Sequence, residues 1–323
     1  MKHHFNSELS NKILGRIPSN IKSSDYLAEV LNLSKESVYR RLKGIIPFTF
    51  EEILNLSTIL DFSVDELLKD EKNEYAFFNL STSKLLNTEE DEFVKTYMRH
   101  ADNMEAVYKS QNNHIIISAN RILRVLTNSY DSLFRFYYYK WLHQFGHTSL
   151  NFKYSNVQIT DKLNELRQKL ANYYETQNIT FITDSNIIYN TIKEIRYYID
   201  RGLIDGEDIQ SIKKDLKDFI DRFFIFPSDK LHGQHTQYEV YISSLNIENN
   251  TSYIVYDDKI WTYYWVYSDI GIYTSDSELC MLQKDWLDSL KKYSILISNS
   301  NQKMQAELYN QFLAQLETLT STQ

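Results

Sequence analysis

Glycine, proline and cysteine are scarce in this chain of 323 residues, which has seven Gly, three Pro and one Cys. Average usage of about 7% Gly and 5% Pro would give roughly 23 and 16 residues. The shortage excludes collagen-like, linker-like and Pro-rich disordered classes, and it argues against an all-β sandwich, which needs many turns. A single Cys excludes a disulfide framework and a Cys-based zinc site, and it fits a reducing compartment.

Long apolar runs and a positive net charge are also missing. No stretch approaches 18 consecutive apolar residues, so we expect no membrane-spanning helix. The N-terminus lacks the apolar core of a secretory signal, and we expect a cytoplasmic protein. A net charge of −8 gives no overall attraction to nucleic acid, so any such binding requires a local basic patch. The chain does have 42% hydrophobic residues, including 25 Tyr, which is enough to form a core.

Hydrophobic periodicity predicts a mainly α protein with an α+β C-terminal part. Residues 1–70 contain five short amphipathic segments and predict a five-helix N-terminal domain. Residues 71–91 are mostly polar and are predicted to be a linker. Residues 92–323 are then a larger effector or oligomerisation domain.

This larger domain changes character along its length. Apolar spacings of three and four predict helices over 92–226. One of these stripes, from Ile159 to Tyr173, suits either a short dimerising coiled coil or a helix seam within one chain. Alternating residues with short connections predict a small antiparallel sheet over about 236–274, and helices over 276–320 would cover it.

Two helix starts are marked by capping boxes. In the first, the Thr49 hydroxyl can accept a backbone N–H while Glu52 reaches back to the helix start. Phe48 and Ile53 flank this box as a hydrophobic staple. The same pattern recurs over Ser63–Glu66.

The segment Ser24–Gly44 has the pattern of a helix-turn-helix. Asn32 stands where the turn needs a positive φ, which Asn tolerates better than most residues. Leu33 and Val38 are spaced to point into the core and fix the crossing of the two helices. Ser34 can cap the second helix. That helix then presents a basic outer face.

The segment resembles the Cro/C1-type, or XRE, helix-turn-helix family over roughly residues 9–70, in the version common among Bacteroidetes regulators. The resemblance rests on the Leu-Ala-Glu opening at Leu27, on the basic second helix ending at Gly44, and on the run Phe62–Leu68. Asn32 replaces the Gly often found in the turn. The resemblance implies sequence-specific binding of duplex DNA, with the second helix in the major groove.

Carried onto this sequence, the residues implied to contact DNA are Ser24, Lys35, Glu36, Ser37, Arg40, Arg41 and Lys43. Arg can read guanine and Glu36 can accept from cytosine, whereas Ser24 and Lys43 are expected at phosphates. Residues 11–50 carry seven basic and three acidic residues, a local charge of +4, while the rest of the chain carries −12.

An aromatic cluster near the C-terminus suits two interpretations. Tyr253, Trp261, Tyr263 and Trp265 fall on predicted strands, where alternate side chains share a face. They either line a pocket for a small aromatic or apolar ligand, or fill the core between sheet and helices.

Other signals for chemistry are weak. His143 and His147 have the i, i+4 spacing of metal ligands but lack the Glu of a zinc-protease motif. His232 and His235 are expected in a polar loop, and Cys280 as a small hydrophobe. We therefore expect no metal and no cofactor. No catalytic constellation or phosphate-binding glycine loop stands out, and we do not expect an enzyme.

Together these features predict a transcriptional regulator that binds an operator in double-stranded DNA. We expect a homodimer on an inverted repeat, because two linked copies gain affinity through effective concentration. The large C-terminal domain leaves room for sensing a small molecule or a peptide. The alternatives are a DNA-anchored adaptor that recruits a protein partner through this domain, and an enzyme that the helix-turn-helix only localises.

Overall fold

The computed structural model describes most of the chain, namely residues 2–17, 21–60, 62–64, 67, 76–81, 90–145, 148–175, 177–225, 237–267, 270–298 and 301–320. The chain divides into two compact units, Met1–Phe77, here called unit 1, and Phe78–Gln323, here called unit 2. This boundary falls within the polar segment 71–91. Among the described residues, no helix has the length and apolar character needed to cross a lipid bilayer.

Unit 1 is built from short helices around one core. They are α1 (Lys2–Arg16), α2 (Ser23–Val30), α3 (Lys35–Leu42) and α4 (Phe50–Ile59). Each helix contributes an apolar stripe, and the fully buried side chains at the centre are Leu9, Ile13, Leu27, Val38 and Leu56. The basic outer face of α3 is thereby turned to solvent.

The start of α4 has the predicted capping box. The Thr49 hydroxyl accepts a hydrogen bond from the Glu52 N–H at 3.2 Å, and the Glu52 carboxylate accepts one from the Thr49 N–H at 2.8 Å. Phe48 and Ile53 are both buried in the same core. The second predicted box, Ser63–Glu66, extends into residues outside the described part of the chain.

Unit 2 contains one sheet of eight described strands. They are β1 (Asn79–Leu80), β2 (Asn113–Ala119), β3 (Ile179–Asp184), β4 (Tyr238–Ser243), β5 (Thr251–Tyr256), β6 (Lys259–Tyr267), β7 (Ile270–Thr274) and β8 (Ser294–Leu296). Their spatial order is β1-β7-β6-β5-β2-β3-β4-β8. The central pairs β2–β3 and β3–β4 are parallel, and the other pairs are antiparallel.

Helices cover both faces of this sheet. They are α5 (Glu90–Lys109), α6 (Asp131–Phe145), α7 (Asp161–Glu175), α8 (Ile187–Asp200), α9 (Gly206–Ile225), α10 (Ser277–Lys292) and α11 (Gln302–Glu317). The large core lies on one face and includes Ile115 and Ile117 of β2. The smaller core lies on the other face, where Ile116 packs with Leu287 of α10. Parallel strands need such crossover helices, which explains the layered arrangement.

The chain is mainly α with an α+β C-terminal part, as the sequence predicts, but its sheet is larger than predicted and mixed rather than antiparallel. The difference comes from β2 and β3, which lie in the stretch 92–226 that the periodicity assigned to helices. Helix α7 packs into the large core through Leu163, Leu170 and Tyr173. The stripe around α7 therefore forms a seam within one chain.

Candidate nucleic-acid interface

The turn between α2 and α3 has the geometry of a helix-turn-helix. Asn32 has a φ of 51°, in the left-handed region, as the sequence predicts. The Leu33 N–H donates to the Ala28 carbonyl at 2.9 Å, which closes the turn onto α2. The Ser34 hydroxyl accepts from the Ser37 N–H at 3.2 Å and caps α3. Local hydrogen bonds thus fix the angle at which α3 leaves α2.

Helix α3 buries one side and exposes the other. Val38 is fully buried, whereas Lys35, Glu36, Tyr39, Arg40 and Lys43 are exposed. The exposed residues recur at spacings of three and four, so they share one face of the helix. The Lys43 ammonium lies 6.0 Å from the centre of the Tyr39 ring. This exposed surface of α3 is called the α3 face below.

Arg41 occupies a different position from its neighbour Arg40. Its guanidinium makes two contacts of 2.9 Å with the two carboxylate oxygens of Glu52 on α4. The Arg41 side chain is 13% exposed and that of Glu52 is 16% exposed. The sequence predicts Arg41 as a contact to bases, but the structure places it in a bidentate ion pair that joins α3 to α4.

Two of the other predicted contact residues have local partners. The Lys35 ammonium lies 2.9 Å from the Asp25 carboxylate, with side chains 65% and 45% exposed. The Ser24 hydroxyl donates to the same carboxylate at 3.0 Å. The hydrogen bonds from Lys35 and Ser24 lower the pKa of Asp25. Because so exposed a pair contributes little to stability, Lys35 can exchange Asp25 for a phosphate or a base at little cost.

The aromatic cluster of unit 2 does not form one surface. Trp261 and Trp265 lie on the sheet face that packs against the large core. Tyr263 stands two residues from each of them on β6, so it lies on the same face. Tyr253 is buried in the smaller core beneath α10, on the opposite face. The predicted ligand pocket of Tyr253, Trp261, Tyr263 and Trp265 is therefore not formed by these four residues together. Tyr253 of β5 pairs with Thr262 of β6, so it shares the sheet face of Thr262, opposite to the face of Trp261 and Tyr263.

The histidines and the cysteine lie as follows. A ring nitrogen of His143, Nε2, lies 3.0 Å from the Phe152 carbonyl oxygen. Because a carbonyl only accepts, this nitrogen must carry the proton. His147, His232 and His235 lie outside the described residues. Cys280 packs in the smaller core, and burial raises the pKa of its thiol to about 11.

A polar cleft of about 750 Å³ lies between α6 and α8. Among the described residues that line it, the basic side chains are Arg121, Lys140, Lys193 and Arg201, and the carboxylate is that of Glu194. The sequence does not predict this group, because its members come from three separate segments. In the sequence these residues show only as basic positions along α8 and at its C-terminus. An ordinary solvated helix face has the same pattern.

One family model matches part of the chain. Residues 15–141 match the BetR domain family, about two fifths of the chain. The match includes α2, α3 and α4 of unit 1 and continues into unit 2 as far as Trp141 on α6. A BetR domain fits a DNA-binding, regulatory role in general terms. No curated protein and no solved structure matches the chain.

Proposed function

We propose that this protein is a transcriptional regulator that binds a specific sequence of duplex DNA through the α3 face. The observation that carries the proposal is that Lys35, Glu36 and Arg40 are exposed side chains of α3. This helix is capped by Ser34 and belongs to a positively charged helix-turn-helix. Bases are read in the major groove by side chains near the start of such a helix. The resemblance to the Cro/C1-type family and the BetR match both support this role.

Unit 2 is proposed to dimerise the protein, to sense a signal, or both. One small helix-turn-helix buries little surface on DNA, and a dimer on an inverted repeat raises affinity through effective concentration. Half-sites one helical turn apart, about 34 Å, would each receive one copy of α3. Regulation would then act by changing the spacing between two α3 helices.

A second candidate is a DNA-anchored adaptor. The specific observation in its favour is α10, whose Met281, Leu282 and Trp286 side chains are exposed. Exposed apolar groups on one helix are typical of a protein-docking surface. In this function unit 1 still binds DNA, and α10 recruits a protein partner.

Selection from a random duplex library tests the proposal. The full-length protein is expected to enrich one motif, and an inverted repeat within that motif would give the dimer and its spacing. The variant Lys35→Ala/Arg40→Ala should lose this motif. The control Lys162→Ala/Lys303→Ala removes the same charge from exposed positions of unit 2 and should enrich the wild-type motif. Loss in both variants, or in neither, would contradict reading through α3.

A further inference from the structure

We infer that the cleft between α6 and α8 binds a small organic anion that carries at least two negative charges. Among the described residues that line it, four are basic and one, Glu194, carries a carboxylate, so these five side chains have a net charge of +3. The chain outside residues 11–50 is strongly acidic, so this charge opposes its surroundings. A cleft lined by one sign of charge focuses the electric field and raises the local concentration of the opposite ion.

The inner end of the cleft is formed by two cations and the carboxylate that binds both. Glu194 accepts from both Arg121 and Lys140, each at 2.8 Å. The Lys140 side chain is only 3% exposed, which makes its charge costly to desolvate unless it is fully paired. Arg121 and Lys140 therefore place two positive charges at the inner wall of the cleft, where a bound anion would meet them.

The outer end of the cleft offers two cations, Lys193 of α8 and Arg201, the residue that follows the helix. Lys193, Tyr197 and Arg201 are spaced four residues apart, so they follow one line over about 12 Å of helix. Lys193 is exposed, and the Arg201 guanidinium donates to two neutral oxygens, the Tyr197 hydroxyl and the Leu150 carbonyl, each at 3.1 Å. An anionic group that replaces these neutral partners would form stronger hydrogen bonds with Arg201, because both donor and acceptor would then be charged.

The position of the cleft in the sheet also suits a ligand. Arg121 follows the carboxyl end of β2 after one residue, and α8 follows the carboxyl end of β3 after two. Ligands of α/β sheets bind outside the carboxyl ends of the parallel strands. The volume of about 750 Å³ lies within the range of small-molecule sites, roughly 300–1,000 Å³. Binding does not depend on DNA, and only its use as a regulatory signal rests on the proposed function.

Calorimetric titration of the full-length protein without DNA tests the inference. The probes are ATP and citrate, which present phosphates and carboxylates, and sodium chloride, whose anion carries a single charge, holds the ionic strength constant. We expect saturable binding of at least one probe with a Kd below about 1 mM. Binding of ATP alone would assign a phosphate ligand, and binding of citrate alone a carboxylate; either result supports the site.

Matched variants locate the binding. Lys193→Gln/Arg201→Gln is expected to weaken it about tenfold or more. Lys214→Gln/Lys292→Gln removes two exposed charges elsewhere in unit 2 and should bind as the wild type does. The inference is wrong if the first variant binds as tightly as the wild type. It is also wrong if neither probe binds, even where that variant weakens binding to duplex DNA. Because the titration contains no DNA, its failure leaves the proposed DNA binding intact.

Discussion

Arg41 on α3 holds both carboxylate oxygens of Glu52 on α4, with each of the two contacts measuring 2.9 Å. The same carboxylate accepts the backbone N–H of Thr49 at 2.8 Å and so also caps α4. One side chain therefore fixes the start of one helix and the side of another. Arg41 therefore positions the α3 face, whereas Arg40 is exposed on it.

Replacing Glu52 by Gln should loosen α3 against α4. Gln keeps the cap on the Thr49 N–H but loses the ionic bonds to Arg41, at a cost of about 1–2 kcal/mol. Native-state hydrogen exchange of α3 and α4 amides measures this loss in the intact protein. Glu51→Gln is the control, since Glu51 is exposed and lies one residue earlier in the same helix turn. Equal exchange in both variants would remove the positioning role of Arg41.

This contribution depends on pH in a defined direction. Burial alone would raise the pKa of Glu52, but the hydrogen bonds from Arg41 and Thr49 outweigh it and lower that pKa. The stabilisation is complete above the unfolded pKa and is lost as the pH falls through the folded one. The difference between wild type and Glu52→Gln should therefore shrink in acid. A difference that grows in acid would contradict this.

The turn at Asn32 predicts an unusual order of substitutions. At a φ of 51°, Gly is unstrained, whereas Ala brings a Cβ into contact with the following carbonyl. Asn32→Ala should destabilise unit 1 by about 1 kcal/mol relative to Asn32→Gly. Hydrogen exchange of the α2 and α3 amides provides the measurement. If Ala proves the more stable, as helix propensity alone would favour, then the turn is not left-handed at this residue.

Lys43 and Glu36 should affect DNA binding in different ways. Lys43 is proposed to contact a phosphate, so Lys43→Gln should weaken binding to all sequences and reduce the salt slope by about 1. Glu36→Gln should instead change the preference at one base pair of the motif, since a carboxylate reads cytosine as an acceptor. Binding curves at several salt concentrations, on the motif and on its single-base variants, separate the two effects. Identical behaviour of the two variants would place both residues at the DNA backbone.

His100 gives unit 2 a dependence on acid. Burial, with Arg124 nearby, lowers the pKa of His100 to about 3 from the ordinary 6.5. Below pH 6.5 His100 binds a proton in the unfolded chain but not in the folded chain, so the free energy of unfolding decreases as the pH is lowered. The loss reaches about 2 kcal/mol at about pH 5.

The variant His100→Gln isolates this effect. Gln does not titrate and can still bond to the Tyr174 hydroxyl, which lies 3.2 Å from His100 Nε2. Urea unfolding of unit 2 at about pH 7 and about pH 5 should show a smaller loss in this variant than in the wild type. The same loss in both would mean that His100 is protonated in the folded protein.

The sequence predicted what depends on neighbouring residues. The left-handed Asn32, the Ser34 cap and the capping box of Thr49 all depend on contacts within four residues, and all are present. The strands β5 and β6 were likewise visible, because they alternate and are joined by a short polar turn.

The missing features depend on distant partners. The runs 113–119 and 179–184 are buried on both faces of the sheet, so they show no alternation and resemble buried helix segments. The Arg41–Glu52 pair exists only once α3 and α4 cross. The basic cleft likewise needs β2, α6 and α8 in place before Arg121, Lys140 and Lys193 meet. No spacing in the sequence encodes such a meeting.

Photo-cross-linking from the α3 face shows whether this face lies against DNA. Tyr39 and Tyr189 are 53% and 52% exposed, in unit 1 and unit 2. Each can be replaced by the photoreactive analogue azidophenylalanine, which keeps the ring and has an azide where Tyr has its hydroxyl. On the selected duplex, the analogue at Tyr39 should cross-link to bases of the motif, and the analogue at Tyr189 should not. If the Tyr39 variant binds the motif with wild-type affinity yet cross-links no more than the Tyr189 variant, then α3 does not lie in the groove.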